Sequence, residues 1–574
     1  DPQLPRYLRR QTKFRSSPPQ DPSSSSDKVY RSRHYDSNTE KNKDKSTLKL
    51  LDPYTLSSRL KKLCGANQID SAVQTLKNSP GDAQNTQVWN TLIWECLKAK
   101  RFSLSYQLYT DMKRRGFSPS ARTFQTMFTG LSKIESWSTH TKQLAHARSL
   151  YDSFQRYMNS VKKHDPTNPE LTAKPLAGYI KILGDNNLYQ EIFDVYHALP
   201  VEGQGSAEEL VYTAMFQALA STPTGVYAVP IHHQNASDAK LLWNMMKKAL
   251  KKSPSFQVDT YLVTAAIAAL SQGKAPEVDL ALAITREYFG LTVPGDPPST
   301  GIIPLSSQSL DAIFKLCNSS GRHALCITFF QQVKRRPAEQ GGEEILDHGH
   351  LNEVLKARLA LSGSETAISC LETIEWMLKK EILGKNGYKL RPNLVSYNLA
   401  MTACWRDVDW RSALRIFELM TGYHSHDFMD GSVSSAPRRD ARSPGRNLDL
   451  SAETLCSFVR TALSSRNRAN VRQSLRIIDY LKVKELFLVD EAEVSKTKSY
   501  FTKKLASTVI DSATFALETE SRVPGSGQRW KQMADAAAQY VKRVEAKQSD
   551  FIPTMMKHWP EGEEARLPKY KKPL

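Results

Sequence analysis

Lysine and arginine side chains that can neutralise phosphate occur in clusters along this chain. Two clusters are candidate phosphate contacts: Lys247, Lys248, Lys251 and Lys252, and Arg438, Arg439, Arg442 and Arg446. The whole chain has 79 Lys and Arg against 59 Asp and Glu, a formal net charge of +20. Such a field attracts polyanions, although any one cluster is equally compatible with a solvated helix face. We therefore expect a nucleic-acid partner.

Residues that would support catalysis or metal binding are harder to find. His348 and His350, and also His424 and His426, have imidazole nitrogens that can ligate a metal, but they sit in loop-like segments without matching Cys or His partners. A zinc site needs a complete ligand set at regular spacing. The sequence also contains no GxxxxGK[ST] phosphate loop and no HExxH motif. We predict no metal, no cofactor and no enzymatic activity.

The seven cysteines include no CxxC pair and lie mostly among apolar residues of helical spacing. This pattern predicts reduced, buried thiols rather than a disulfide framework. The longest apolar run covers residues 261–270, which is much shorter than the roughly 20 residues that a membrane-spanning helix needs. We expect a soluble or peripherally bound protein.

A repeat provides the elements that would position the charged clusters. Trp89 and Phe124 are 35 residues apart, and similar amphipathic segments follow each of them. Met112 ends one second helix, and Gly116 to Pro119 precede the next start. A fixed period of this length is typical of stacked helical hairpins. The segment RPNLVSYNLAMTACWRDVDWRSALRIFELM, which begins at Arg391, repeats the same pattern.

These segments resemble the pentatricopeptide repeat, whose pattern runs approximately VTYNxLI, then a second helix ending in Met, then GxxPD. Reading weaker copies in the same register, we predict ten helix pairs, at residues 53–80, 86–120, 121–160, 171–200, 208–250, 257–291, 305–336, 348–385, 394–422 and 451–484. The resemblance implies an all-α fold, an alpha-solenoid of stacked helix-turn-helix repeats.

In the resembled family, one RNA base is read by the fifth residue of a repeat together with its last residue. By resemblance, the base-facing candidates are Asn90, Ser120, Gln125, Thr213, Asn352, Asn393 and Asn398. Leu262 and Asp311 would fill the fifth position of two other copies and suit a base poorly. For Asn90 and Asn398 the alternative is helix capping or a hydrogen bond between hairpins. For Trp89, Tyr212 and Tyr397 packing is favoured over base stacking.

Composition divides the chain into three parts. Residues 1–50 form a basic, polar N-terminal arm, residues 51–484 the repeat solenoid with a loop insertion at 421–447, and residues 485–574 a C-terminal helical cap with a basic tail. Within the last part we predict helices near 496–520 and 527–548. Because the sequence begins with Asp, we expect a removed segment before it.

The resemblance points to RNA metabolism in organelles, and we favour the mitochondrial matrix. Our leading hypothesis is a non-catalytic RNA-binding component or partner of the small subunit of the mitochondrial ribosome, holding ribosomal or messenger RNA beside other ribonucleoprotein proteins. One alternative is a transcript-specific factor for messenger RNA stability, processing or translation activation. Another is a protein-binding assembly scaffold whose function does not depend on RNA.

Overall fold

The computed structural model describes residues 52–221, 228–252, 256–361, 363, 365–384, 387–432, 436–488, 496–518 and 526–556. These residues form 22 α-helices and several short 3-10 helices, without any strand, and a single antiparallel bridge joins Tyr423 to Arg439. The predicted arm at 1–50 and the basic end after residue 556 lie outside the described residues. Over the described part, the all-α prediction is confirmed.

The chain divides between Ile284 and Thr285 into two compact units. Unit 1 contains eleven helices and most of a twelfth: α1 Pro53–Gly65, α2 Ile69–Asn78, α3 Thr86–Lys98, α4 Phe102–Arg114, α5 Ala121–Leu131, α6 Thr141–His164, α7 Lys174–Asp185, α8 Tyr189–His197, α9 Glu209–Ala220, α10 Ala228–Lys252, α11 Thr260–Leu270 and α12 Ala275–Phe289.

Unit 2 continues the pairing of helices and ends with two longer ones: α13 Ser307–Ser319, α14 His323–Arg335, α15 His348–Leu361, α16 Thr366–Leu383, α17 Leu394–Asp407, α18 Trp410–Thr421, α19 Ala452–Ser464, α20 Arg468–Tyr480, α21 Lys496–Leu517 and α22 Ser526–Met556. Each of the ten predicted helix pairs corresponds to one observed pair. The last helix extends beyond its predicted end near residue 548.

The first helices of successive hairpins pack directly on one another. In unit 1 this row is α1, α3, α5, α7, α9 and α11, and in unit 2 it is α13, α15, α17 and α19. In unit 2, α21 packs on α19 and α22 packs on α21. Each hairpin therefore buries its apolar surface against its sequence neighbours, as expected of a repeat protein.

Equivalent positions of the first helices form the core of these rows. The side chains of Trp89, Phe124, Tyr212 and Tyr397 each follow an N-cap residue by four positions and are at most 2% exposed. The packing role predicted for Trp89, Tyr212 and Tyr397 is therefore confirmed.

A recurring turn closes many of the hairpins. In six of them, one residue between the first and second helix has a positive φ: Asn67, Lys100, Asn187, Gly321, Val408 and Arg466. This left-handed conformation ends the first helix and lets the chain reverse within three residues. Val408, with φ of 57°, is β-branched, a residue type that rarely adopts this region.

The loop between α18 and α19 is held by its own hydrogen bonds. It contains a 3-10 helix at Ser425–Phe428, and the amide of His424 donates to the carbonyl of Arg438. Asp430 accepts hydrogen bonds from Arg472 and Arg476 on α20. The loop predicted at 421–447 is thus attached to the second helix of the following hairpin.

Candidate nucleic-acid interface

The residue before several of the first helices caps the helix with its side chain, and two of the predicted last-position residues are among them. Ser120 forms a capping box with Thr123, and Asn393 accepts a hydrogen bond from the amide of Ser396 at 3.0 Å. Asn85 likewise caps the amide of Val88. A capping side chain satisfies an amide that the helix leaves unpaired. The last-position side chains therefore already have a structural role.

In unit 2, two of the residues five positions after a cap lie where one first helix meets the next. In unit 2, the Ser396 hydroxyl donates to Asn352 Oδ1 at 2.7 Å, and Thr454 Oγ1 donates to Asn398 Oδ1. The side-chain amide of Asn398 also donates to Glu453 at 2.8 Å. Asn398 thus makes a hydrogen bond between hairpins, one of the alternatives considered from the sequence. The structure also brings Asn352 and Asn393 together through Ser396.

In unit 1 the equivalent asparagine has a different environment. Asn90 is 8% exposed, and its Oδ1 has no hydrogen-bond partner among the described residues. Thr213 is 9% exposed and donates to the carbonyl of Glu209, whereas Gln125 is exposed. Of these three fifth-position candidates, Asn90 presents a shielded acceptor without a protein partner.

One register assignment needs correction. Asp259 caps α11 by accepting a hydrogen bond from the amide of Leu262, so the fifth residue after the cap is Thr264. Leu262 is fully buried in the core and does not occupy the position assigned to it. Asp311 does lie five residues after its cap, Ser306, and is bonded to Lys315 at 2.8 Å.

The predicted arginine cluster is occupied by protein partners. Arg438 pairs with Asp427, and Arg439 donates to the carbonyl of Thr421. The other two arginines bind as follows: Arg442 donates to the carbonyls of Leu419 and Glu418, and Arg446 pairs with Glu381. Contact of these arginines with phosphate remains a prediction, and it would require them to exchange or share these partners.

The buried carboxylate of Glu381 joins this loop to its neighbours. Its side chain is 2% exposed and accepts from Arg391 at 2.6 Å and from Arg446 at 3.1 Å. Two guanidinium groups compensate the cost of burying one carboxylate. The Asp440 carboxylate has a similar arrangement at the surface, where hydrogen bonds from Arg442 and His424 lower its pKa. These contacts fix the arginines in place.

The predicted lysine cluster lies at the end of α10, a second helix. Lys247 lies over the ring of Trp243, and Lys252 pairs with Glu202 at 2.6 Å. Lys248 and Lys251 are exposed. These lysines therefore do not belong to the row of first helices that carries the fifth-position residues.

A basic band that the sequence analysis missed lies on the exposed side of the first helices in unit 1. We call this exposed side the first-helix surface. In α1, α3 and α5 it consists of the residues two, nine and thirteen positions after the cap residues Asp52, Asn85 and Ser120. In α7 it consists of the exposed residues. Its cations are Lys61, Lys98, Arg122, Lys133, Lys174 and Lys181, all exposed.

This band also contains an aromatic ring and some carboxylates. Trp94 is half-buried, and the ammonium groups of Lys133 and Lys98 lie 4.5 Å and 5.7 Å from its ring centroid. Glu95 pairs with Lys98 at 3.0 Å, and Asp185 is exposed on α7. The cations are spread over four hairpins between residues 61 and 181, so no local cluster revealed them. Counting from the cap residue of each first helix would have shown which cations lie on the same side of these helices.

The described residues offer little reactive chemistry. They contain no group of three or more His, Cys, Asp or Glu side chains that could hold a metal ion. His350 contacts the carbonyl of Ser307, and His348 contacts that of Lys389. Burial raises the pKa of the Cys96 and Cys370 thiols to about 12, so both stay protonated at neutral pH. Among the helices of this part, none has the length and apolarity to cross a bilayer.

Two parts of the chain match family models. Residues 84–133 match a model described as a PPR repeat family, and residues 395–424 match a model described as a PPR repeat. The first match covers α3, α4 and α5, and the second covers α17 and α18. A search of curated proteins found no match for this chain.

Solved structures of a pentatricopeptide repeat protein are similar to this chain. The crystal structure of PPR10 from maize is 12% identical with a TM-score of 0.41, and the match covers 89% of this chain and 65% of that one. The structure of PPR10 in complex with an 18-nt psaJ RNA element is 14% identical with a TM-score of 0.33, at the same coverages. This chain thus spans 65% of the length of those proteins. Each unit therefore contains a segment that matches a pentatricopeptide repeat model, on hairpins whose buried aromatic residues are equivalent.

Proposed function

We propose that this protein is a non-catalytic RNA-binding protein that holds a single strand on the first-helix surface of unit 1. The observation that carries this proposal is the basic band with Trp94 among its cations. Lysine and arginine neutralise phosphates and release counterions, which is the main source of affinity for single strands. A half-exposed indole adds a surface on which unpaired bases can stack.

The position of Asn90 supports the same surface. Its unpaired Oδ1 is an acceptor, and it lies on α3, the helix that carries Trp94 and Lys98. A nucleobase amino group is a donor that can satisfy such an acceptor. The equivalent oxygens of Asn352 and Asn398 already accept hydroxyl hydrogen bonds, so we expect base discrimination at Asn90 in preference to those two.

The test is a comparison of two triple variants that remove the same charge. Replacing Lys61, Lys133 and Lys181 by Gln removes cations of the band. Replacing Lys248, Lys251 and Lys379, which are exposed on second helices, is the matched control. We expect the first variant to lose affinity for a single-stranded RNA at least tenfold more than the control, measured by fluorescence anisotropy. Equal losses would place the binding surface elsewhere.

We propose, at a finer level, that the RNA is ribosomal or messenger RNA at the small subunit of the mitochondrial ribosome, in the matrix. The two family matches leave seven of the ten hairpins without one, and such divergent repeats favour binding by shape and charge over a base-by-base code. Gradient sedimentation of organelle extract should place the protein with ribosomal particles. Crosslinking to one dominant messenger segment would instead support the transcript-specific alternative.

The assembly-scaffold alternative makes a different prediction about salt. If protein contacts carried the function, affinity for RNA would change little between low and moderate salt, because phosphate neutralisation would not be the driving interaction. A steep decrease in RNA affinity with salt would exclude the scaffold as the main role.

A further inference from the structure

One tryptophan of unit 2 lies against an arginine of the next first helix. Trp405 on α17 and Arg460 on α19 are both half-buried, and the guanidinium carbon lies 3.7 Å from the indole ring centroid. This is a van der Waals stacking distance, so the guanidinium covers one face of the ring. The pair lies at the seam between two first helices.

The same seam carries the fifth-position asparagine. Asn398 is seven residues before Trp405, and its partner Glu453 is seven residues before Arg460. Seven residues are two helical turns, or about 10 Å along the axis. Two cross-helix pairs, one hydrogen-bonded and one stacked, therefore lie side by side along α17 and α19.

Unit 1 contains a related arrangement. Trp94 on α3 has the ammonium group of Lys133, from the turn that follows the next first helix α5, at 4.5 Å from its ring centroid. In each unit, then, a tryptophan of one first helix lies beneath a cation from the following hairpin. These contacts restrict the rotamers of the long cationic side chains before any ligand arrives, which lowers the entropic cost of binding.

We propose that the Trp405–Arg460 pair, with Trp94–Lys133 as its counterpart in unit 1, is a stacking site for an unpaired nucleobase. This inference rests on the proposed RNA-binding function and extends it to the first helices α17 and α19 of unit 2. Guanidinium planes and indole rings both stack on bases exposed in single strands. Trp405 supports one face of the guanidinium, and a base stacks on the other. Asn398 and Glu453 lie two turns away along the same seam.

A second tryptophan provides a matched control. Trp376 lies on α16, a second helix, with Lys334 and Lys380 at 4.8 Å and 5.9 Å from its ring centroid. It is half-buried, as Trp405 is. The contact chemistry is therefore similar, but the pair lies away from the row of first helices.

The experiment uses the full chain and two probes, an oligouridylate of about 20 nucleotides and an abasic oligomer of equal length. Both carry the same phosphates, and only the first carries bases. We expect Trp405→Leu to lower affinity for oligouridylate about tenfold and to leave affinity for the abasic oligomer within about twofold. Trp376→Leu should bind both probes as the wild type does. Thermal unfolding verifies that each variant is folded.

Arg460→Lys separates stacking from charge, because it keeps the cation and removes the plane. It should retain affinity for the abasic oligomer and lose affinity for oligouridylate. Unchanged binding by Trp405→Leu, or equal losses for the two probes, would overturn the stacking site. With polyglutamate added as an acidic-peptide probe, a loss of affinity by Trp405→Leu for that peptide alone would also overturn the stacking site. If the wild type binds neither oligomer, the proposed RNA-binding function itself is wrong.

Discussion

Two asparagines that occupy equivalent places in their helices differ in their hydrogen bonds. Asn398 Oδ1 accepts from Thr454 and its amide donates to Glu453. Asn90 Oδ1 has no partner among the described residues. A buried acceptor without a partner is costly in the free protein, and a donor from a ligand would offset that cost. Equivalent positions therefore differ in role because their neighbours differ.

This contrast predicts opposite effects of two alanine substitutions. Asn398→Ala removes bonds between α17 and α19 and should lower the free energy of unfolding by about 1 kcal/mol. Asn90→Ala removes an oxygen without a protein partner, so stability should change less while RNA affinity decreases. Denaturant unfolding and anisotropy titration measure the two quantities. If Asn90→Ala unfolds earlier and binds RNA normally, its role is structural.

Val408 gives a second prediction at the residue scale. Its φ of 57° places a β-branched side chain in the left-handed region, and the side chain is 41% exposed, so little packing compensates the strain. Left-handed backbone costs an ordinary residue roughly 1–2 kcal/mol, and Asn tolerates it better. Val408→Asn should therefore raise the thermal midpoint of unit 2. The same change at Val395, an exposed helical valine, should give no increase.

Between elements, close approach of the first helices determines which residues fit. A Cβ on Gly184 of α7 would lie 2.6 Å from Ala218 Cβ and 3.0 Å from Ala218 Cα on α9. No backbone conformation requires glycine at this place, since the residue is helical. The close contact between α7 and α9 explains instead why position 184 is a glycine.

Gly184→Ala should destabilise unit 1 by about 1–3 kcal/mol, because overpacking forces α7 and α9 apart. Gly65→Ala is the control, since a Cβ there would have no atom within 4 Å and alanine favours helix by about 0.5–1 kcal/mol over glycine. The two substitutions should shift the unfolding midpoint in opposite directions. A stabilising Gly184→Ala would contradict the tight packing.

The loop between α18 and α19 should detach in acid. Hydrogen bonds from Arg472 and Arg476 lower the pKa of Asp430, despite the opposing effect of burial. Because the folded-state pKa is below the unfolded value of about 3.9, these bonds contribute stability above that pH and lose it as the pH falls through the folded-state pKa.

Limited proteolysis of the loop by an acid-active protease should therefore accelerate below about pH 4. Asp430→Asn should be cleaved faster at neutral pH, and its rate should depend less on pH. A wild-type cleavage rate that stays constant between pH 5 and the acid range would show that the Asp430 contacts do not hold the loop.

At the scale of the molecule, net charge alone does not show which cations are available to a ligand. The formal charge of +20 belongs to the whole chain, but the loop arginines are paired within the protein. The cations of the band in unit 1 are exposed, although Lys98 pairs with Glu95 and Lys174 pairs with Glu208. Net charge alone therefore overstates the contribution of the loop and does not locate the binding surface.

If six cations of the band each contact a phosphate, the logarithm of RNA affinity should fall with the logarithm of salt concentration with a slope of about −4. Titrations at several salt concentrations measure this slope. Neutralising Lys61, Lys133 and Lys181 should reduce its magnitude by about 2. A slope near zero, or one that the substitutions leave unchanged, would contradict phosphate binding by the band.

The repeat period and the buried aromatic residues were predictable from the sequence, because hairpin packing depends on local pattern. The ten helix pairs and the core roles of Trp89 and Tyr397 followed from helical spacing. The register of α11 was misassigned, since Asp259 and not the apolar pattern determines where that helix begins.

What the tertiary structure decided was which polar and charged side chains remain available. The sequence presented Asn90, Asn398 and four loop arginines as similar candidates. Only packing brings Thr454 onto Asn398, Glu381 onto Arg446 and Arg460 onto Trp405. These partners are 55 to 65 residues apart in sequence, and no local pattern encodes their meeting. Two side chains interact only when they are close in space, and the stacking of the first helices determines which side chains of neighbouring hairpins are close.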